Sequence, residues 1–252
     1  MASPLPGTVC LVTGATGGIG HATARALSAH DVRLLVSARD EDRLAEVARE
    51  TGGSPLAADL ARPGAASDLA QAALESTGRV DAVVHAAGVG QFGPAAALDP
   101  GALESLVALN VTSVIELTCA LLPGMLERRE GRIVAMGSVA GRLGHRHEAA
   151  YAATKAAVSV FCDSLAEELG GSGVSVSLIT PGVVDTAFFE RRGAPYERTW
   201  PRPVPPEAVA QRVVEVLLRP RDEVVVPAFL SGALRLRGAL PGVYRAFARR
   251  FG

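Results

Sequence analysis

Two side chains four residues apart carry the most chemistry in this sequence, Tyr151 and Lys155. On a helix they would share one face about one turn apart, a phenol beside an ammonium. Lys155 is the single lysine of the chain, against 24 arginines. A sequence that prefers arginine for surface charge keeps a lysine here for a chemical reason. Arginine offers a planar fork that never loses its charge. Lysine offers a compact ammonium that can press on a phenol and lower its pKa from about 10. The expectation is a tyrosine serving as general acid near neutral pH. The single asparagine, Asn110, is the second residue whose rarity asks for a role.

A second constellation stands near the N-terminus, where an apolar run is followed by Thr13-Gly14-Ala15-Thr16-Gly17-Gly18-Ile19-Gly20 and then a helical pattern. A strand, glycine turn and helix start bring backbone amides and the positive helix end to one point, where a pyrophosphate can sit with no Cβ in the way. The spacing is not the common G-x-G-x-x-G, and the turn has no lysine, which excludes a lysine-bearing phosphate loop. About twenty residues on, an acidic residue would grip a ribose 2′-hydroxyl. The stretch there is Ser37-Ala38-Arg39. With no carboxylate at the tip and Arg39 placed to neutralise a 2′-phosphate, the sequence predicts NADPH over NADH. Asp40 follows at once and suits the cap of the next helix.

The elements that must position these groups are legible as short β-branched runs alternating with longer amphipathic stretches, the pattern of βαβ units around a parallel sheet buried on both faces. Strands are expected at residues 9–12, 34–36, 56–58, 82–85, 133–136, 174–179 and 224–226, and helices at 19–29, 41–50, 65–76, 102–126, 149–169 and 207–218. Pro205 and Pro206 announce the last helix. The fold class is α/β, a seven-stranded doubly wound, Rossmann-like sheet in a single domain over residues 1–229, with a C-terminal extension over 230–252. Length and 48% hydrophobic content suit one large core. A net charge of −1 gives no bias toward nucleic acid. Cys10, Cys119 and Cys162 lie in apolar stretches, where cysteine packs as a small hydrophobe, and their scatter suggests no disulfide framework. No apolar run approaches the roughly 18 residues that span a bilayer, and no leader pattern opens the chain. The expectation is a cytoplasmic protein.

With the glycine turn, Asn110, Ser138, Tyr151 and Lys155 in order, the sequence resembles the short-chain dehydrogenase/reductase family over about residues 8–226. Thr13-Gly14-x-x-x-Gly18-Ile19-Gly20 matches the family's cofactor turn and Tyr151-x-x-x-Lys155 its catalytic pair. Ser138, thirteen residues before the tyrosine, matches its substrate-polarising serine, and Asn110 its helical asparagine. The resemblance implies NADP(H) as cofactor and hydride transfer between the nicotinamide and a carbonyl or secondary alcohol. Tyr151 would supply the proton and Ser138 a second hydrogen bond to the same oxygen. Lys155 would also hold the nicotinamide ribose, and Asn110 would position a water behind it. Gly14, Thr16, Gly17, Gly18, Ile19, Gly20, Arg39, Asp59, Leu60, Ala87 and Gly88 would line the dinucleotide site, joined by Tyr151, Lys155, Pro181, Gly182, Val184 and Thr186 near the nicotinamide. One departure stands out: the family's Asn-Asn-Ala-Gly reads His85-Ala86-Ala87-Gly88, which leaves the backbone role and removes the asparagine side chains.

Between 187 and 206 the chain carries Phe188, Phe189, Tyr196 and Trp200 without a clear period, the composition of a mobile lid over an apolar or aromatic carbonyl substrate. Arg191, Arg192 and Arg198 read as solvated loop charges ahead of the alternative, selection of a substrate carboxylate, and His145 and His147 as surface histidines ahead of substrate contacts, with no cluster that would make a metal site. From Leu230 onward Leu234, Leu240, Val243, Phe247 and Phe251 recur near helical spacing, with five arginines and no acidic residue. Pro241 should split this tail into two short helices. It would cover the domain's own core or a subunit interface in a homo-oligomer, a dimer or tetramer, or rest on an anionic membrane. Two other functions suit the same scaffold: a silent NADP(H)-binding regulator, which would have little need of Tyr151 and Lys155 together, and an epimerase or dehydratase, for which no further acid/base pair is evident.

Overall fold

Seven short β-branched runs become seven parallel strands: β1 (Thr8–Thr13), β2 (Val32–Ala38), β3 (Ser54–Ala57), β4 (Ala82–His85), β5 (Gly131–Met136), β6 (Val174–Pro181) and β7 (Glu223–Val226). In the computed structural model, which describes residues 7–197 and 199–244, they form one sheet ordered β3-β2-β1-β4-β5-β6-β7. Alternation along each strand divides the core. Cys10 and Val12 face one layer with Leu27, Leu44 and Val213, whereas Val9 and Leu11 face another with Leu69, Leu117 and Val158. The first layer is α1 (Gly18–Ser28), α2 (Glu41–Thr51) and α9 (Pro206–Leu218); the second is α3 (Ala65–Thr77), α5 (Ser113–Arg128) and α7 (Ala149–Glu168). Both faces of a parallel sheet are thereby covered, as its unbroken apolar strands require.

Local chemistry sets the helix boundaries. Asp40 accepts from the Arg43 amide at 3.1 Å and so caps α2, and Asp99 accepts from Ala102 at 2.8 Å to cap α4 (Pro100–Val107). Pro205 and Pro206 stand at the cap and first position of α9.

The sequence predicts one helix over 102–126, but the structure interrupts it with a π-helical turn at Ala108–Thr112, a local insertion that a 3.6-residue period does not reveal. The helical stretch Pro100–Arg128 is also long and apolar enough to cross a bilayer, against the expectation that no run approached that length. Its Leu106, Leu117, Leu121 and Met125 are buried, and α5 packs on the sheet and α3. Two short helices escaped the sequence reading: α6 (Val139–Leu143) and α8 (Phe188–Arg191), the latter inside the stretch read as an irregular loop. Cys119 is exposed, unlike buried Cys10 and Cys162, because it falls on the outer face of α5.

After β7, Leu230 packs on Gly182, where an added Cβ would lie 2.5 Å from Leu230 Cδ1. Helix α10 (Ser231–Ala239) follows. Leu240 and Pro241 break it before a further helical turn at residues 241–244, as Pro241 predicts. Leu236, Leu240 and Val243 are exposed. Phe247 and Phe251 lie outside the described residues, as does Arg198.

Candidate active site

The glycine turn is forced to be glycine by close approach. Gly14 has φ +66°, and a Cβ there would lie 2.6 Å from the Ala87 backbone. A Cβ on Gly20 would collide with the Gly14 carbonyl, and one on Gly18 with the Thr186 side chain. The turn is thus pressed against the loop after β4 on one side and the segment after β6 on the other. No side chain among the described residues caps α1, its first turn holds no acidic residue, and its first helical amide bond runs from His21 to the Gly17 carbonyl. Its leading amides remain as donors for an anion.

Around this turn opens a cleft of about 400 Å³, lined by Gly14, Thr16, Gly17, Gly18, Ile19, Gly20, Arg39, Asp59, Leu60, Ala87, Gly88 and Thr186. Those twelve predicted residues come together. Pro181, Gly182 and Val184 do not line it: Gly182 donates to the Val226 carbonyl at 2.7 Å, and Val184 is buried in the core. Ser37, Ala86, Val89 and Gly90, which the sequence did not assign to the site, also stand in the walls, as do Phe188 of the expected lid and Arg191, read as a solvated loop charge. Ser37 is 1% exposed and its hydroxyl has no hydrogen-bond partner among the described residues, while Arg39 beside it is exposed. A cradle that a Cβ would fill, free helix amides, an orphaned hydroxyl and an open guanidinium fit a phosphorylated dinucleotide.

The four polar candidates gather beyond the cleft's inner end. Tyr151 and Lys155 are 8% and 7% exposed, and Asn110 is fully buried. Ser138 caps α6, its hydroxyl accepting from the Ala140 amide at 3.1 Å and lying close enough to Tyr151 to act on its phenol. The Asn110 side chain, in the π-helical turn, accepts from the Val89 amide at 3.0 Å and donates to the Val89 carbonyl at 2.9 Å and to Thr154 Oγ1 at 3.1 Å. It therefore pins the β4 loop to α7. A Cβ on Gly88 would lie 3.3 Å from Asn110 Oδ1 and 3.5 Å from Lys155 Nζ, so this glycine keeps the cleft floor open to both.

The electrostatics differ from expectation. Burial pushes the Tyr151 phenol up to about 12; the Ser138 hydroxyl and the Arg192 charge pull it down, and Glu148 pushes it further up. Lys155 is not among the charges acting on it. Its Nζ donates to the Met136 carbonyl at 2.9 Å, and burial lowers the ammonium from 10.5 to about 8. The phenol is thus held protonated by a dry site, rather than acidified by the amine.

Residues 8–197 match the family model of the short chain dehydrogenases. The chain belongs to the short-chain dehydrogenase/reductase family. It is similar to the ketoacyl reductase HetN of a Nostoc species, 31% identical over 88% of this chain and 79% of the other. In three dimensions it is similar to a short-chain dehydrogenase from Sphingobium yanoikuyae in complex with NADPH, with TM-score 0.82, 28% identity and 94% of each chain covered. It is also similar to a family member from Burkholderia phymatum in complex with NAD, with TM-score 0.84, 25% identity and 95% of each chain covered. The family membership makes the chain an NAD(P)-binding oxidoreductase.

The chain's departure from the family motif has a local explanation. His85 is 3% exposed and its Nε2 meets Thr118 Oγ1 at 2.9 Å, so the histidine ties the end of β4 to α5. Ala87 keeps its backbone link, its amide donating to Thr13 Oγ1 at 3.3 Å.

The aromatic segment is ordered around Tyr151. Phe188 lies 5.5 Å from the Tyr151 ring and Phe189 5.5 Å from Phe188, with Tyr196 5.4 Å beyond. Arg192 is not the solvated charge that its loop position suggests: its side chain is 6% exposed and paired with Glu148. His147 stacks edge-on to Phe92 at 5.5 Å.

Proposed function

We propose that the chain is an NADP(H)-dependent reductase of apolar carbonyl compounds, able to run as a secondary-alcohol dehydrogenase, with Tyr151 as general acid and base. The observation that carries this reading is the Ser138 hydroxyl placed where it acts on the Tyr151 phenol, two hydroxyls in a desolvated wall beside a dinucleotide-shaped cleft. The α1 amides hold the pyrophosphate, Arg39 the 2′-phosphate, with the Ser37 hydroxyl beside it, and Asp59 the adenine side. Lys155 and Asn110 fix the inner end. When bound, the nicotinamide supplies or accepts the hydride. Tyr151, protonated across the neutral range, gives its proton to the carbonyl oxygen, and Ser138 donates to the same oxygen as charge develops there. Phe188, Phe189 and Tyr196 make the substrate wall apolar and exclude water. Preference for NADP over NAD rests on Arg39 and the lack of a carboxylate at the β2 tip.

NADPH absorbance followed with a panel of aliphatic and aromatic ketones tests the reading. Consumption with apolar ketones is expected. Tight NADPH binding without consumption of any ketone would instead favour the silent regulatory protein.

Two partners belong to the same reading. Exposed Val107 and Leu126 beside the α4–α5 stretch and Val160 on α7, 64% exposed, support a homo-oligomer, which sedimentation of a Val160→Glu variant as a smaller species would bear out. Trp200 stacks on Phe229 at 5.7 Å. With exposed Leu236, Leu240 and Val243, and no carboxylate side chain after Glu223, this edge supports contact with an anionic bilayer. Anionic liposomes should sediment the full chain and leave a Leu236→Glu/Leu240→Glu variant in solution; equal partitioning would contradict the contact.

A further inference from the structure

Arg192 is the C-terminal cap of α8, and almost everything that surrounds it is apolar or belongs to the segment carrying Tyr151. Its guanidinium lies over the Phe189 ring at 4.4 Å and the Phe92 ring at 5.0 Å. Nε donates to the Ala194 carbonyl at 3.3 Å, and Nη1 pairs with Glu148, whose side chain is 13% exposed. Glu148 is the residue immediately before α7, three positions ahead of Tyr151. At the opposite end of α8, Phe188 rests on the Tyr151 ring and against Gly90, where a Cβ would lie 2.6 Å from Phe188 Cζ and 3.2 Å from Arg192 Cβ. The four-residue helix is therefore fastened to the catalytic segment at both ends.

A helix of four residues has too few internal hydrogen bonds to hold itself, so its place is set by what it touches. Phe188 and Phe189 supply apolar contact that tolerates sliding. The ion pair supplies direction, because a guanidinium removed from water is stabilised only where its carboxylate and the two ring faces stand. Cutting either partner leaves a charge stranded in an apolar shell, and the cheapest relief is for α8 to lift toward water.

We propose that Glu148 and Arg192 are positioning residues for the reaction assigned above: their pair locks α8 against the start of α7, so that Phe188 forms a fixed substrate wall over Tyr151. The inference rests on that reading for its kinetic consequence alone. Neither side chain lines the dinucleotide cleft. Breaking the pair should loosen substrate placement most and leave the chemical step in place; because Phe188 and Arg191 of α8 also line the cleft, NADPH binding should weaken by less than substrate binding does.

The test is a double-substitution cycle with Glu148→Gln, Arg192→Met and Glu148→Gln/Arg192→Met in the full-length chain. Each single variant should raise the KM for an apolar ketone roughly ten-fold, change kcat by less than about three-fold and weaken NADPH by less than about three-fold. The double variant, which strands no charge, should be no worse than either single one. Losses that multiply to about a hundred-fold in the double variant would overturn the proposal, as would a fall in kcat at constant KM. A second readout needs no turnover: trypsin should cut the loop of Glu148→Gln at Arg191 and Arg192 at least roughly ten times faster than wild type, with an unchanged far-ultraviolet spectrum as the folding control. Equal cleavage rates would sink the latch whether or not the chain reduces any ketone.

Discussion

The Nζ of Lys155 donates to the main-chain oxygen of Met136 at 2.9 Å, which ties the middle of α7 to the last residue of β5 rather than to the phenol one turn earlier. The ammonium is thereby buried at the floor of the cleft, and burial rather than a neighbouring charge governs it. With its pKa lowered to about 8, the amine is charged below that pH and loses its proton as pH rises through it. Tyr151, raised to about 12, stays protonated throughout. Reductive kcat/KM should accordingly be level below pH 8 and fall about ten-fold per unit above it, with Lys155→Arg nearly inactive at every pH because the fork cannot fit the same space. A profile flat to pH 10 would show that the charge on Lys155 is not needed.

Arg39 is exposed at the mouth of the cleft, while Asp40 is occupied in capping α2 and so does not compete for the adenosine ribose. Arg39→Ala should weaken NADPH roughly ten-fold or more and NADH by less than about two-fold. Ser37→Ala should add a smaller loss, again confined to NADPH. Titration of both nucleotides by cofactor fluorescence decides the matter. Equal weakening of the two would remove Arg39 from the phosphate site.

His85 replaces an asparagine of the family pattern and is buried, with its pKa lowered from 6.5 to about 4. A histidine held neutral by the fold is protonated more readily in the unfolded chain. Stability is therefore retained above pH 6.5 and lost as pH falls from there toward 4, by about 3 kcal/mol at most. A His85→Asn variant lacks this titration. Urea unfolding at pH 7 and pH 4.5 should show a smaller acid loss for the variant than for wild type, and an identical loss would contradict the assignment.

Much of the scaffold was legible because its signals are local and repeated. Seven β-branched runs gave the seven strands, with β3 displaced by two residues, since an edge strand containing Pro55 and largely open to water shows weak alternation. The glycine turn could be read because only glycine survives where Ala87 and Gly14 nearly touch. Features set by long-range packing were not legible. The π-helical turn that aims Asn110 leaves no mark in an apolar period, and α6 and α8 are too short to show one. Ser37 looks like filler in a buried strand until its hydroxyl is found without a partner. Arg192 resembles any loop arginine until two rings and a carboxylate are placed around it. The partner of Lys155 is hidden for the same reason, because Met136 is nineteen positions away in the chain.

The central claim is that the Tyr151 hydroxyl moves the proton and does nothing to hold the dinucleotide. Tyr151→Phe removes one oxygen and keeps the ring that packs on Phe188. Measured side by side, ketone-dependent NADPH oxidation should fall by at least about a thousand-fold while the NADPH dissociation constant changes less than about three-fold. Turnover by this variant at a rate close to wild type would contradict the account.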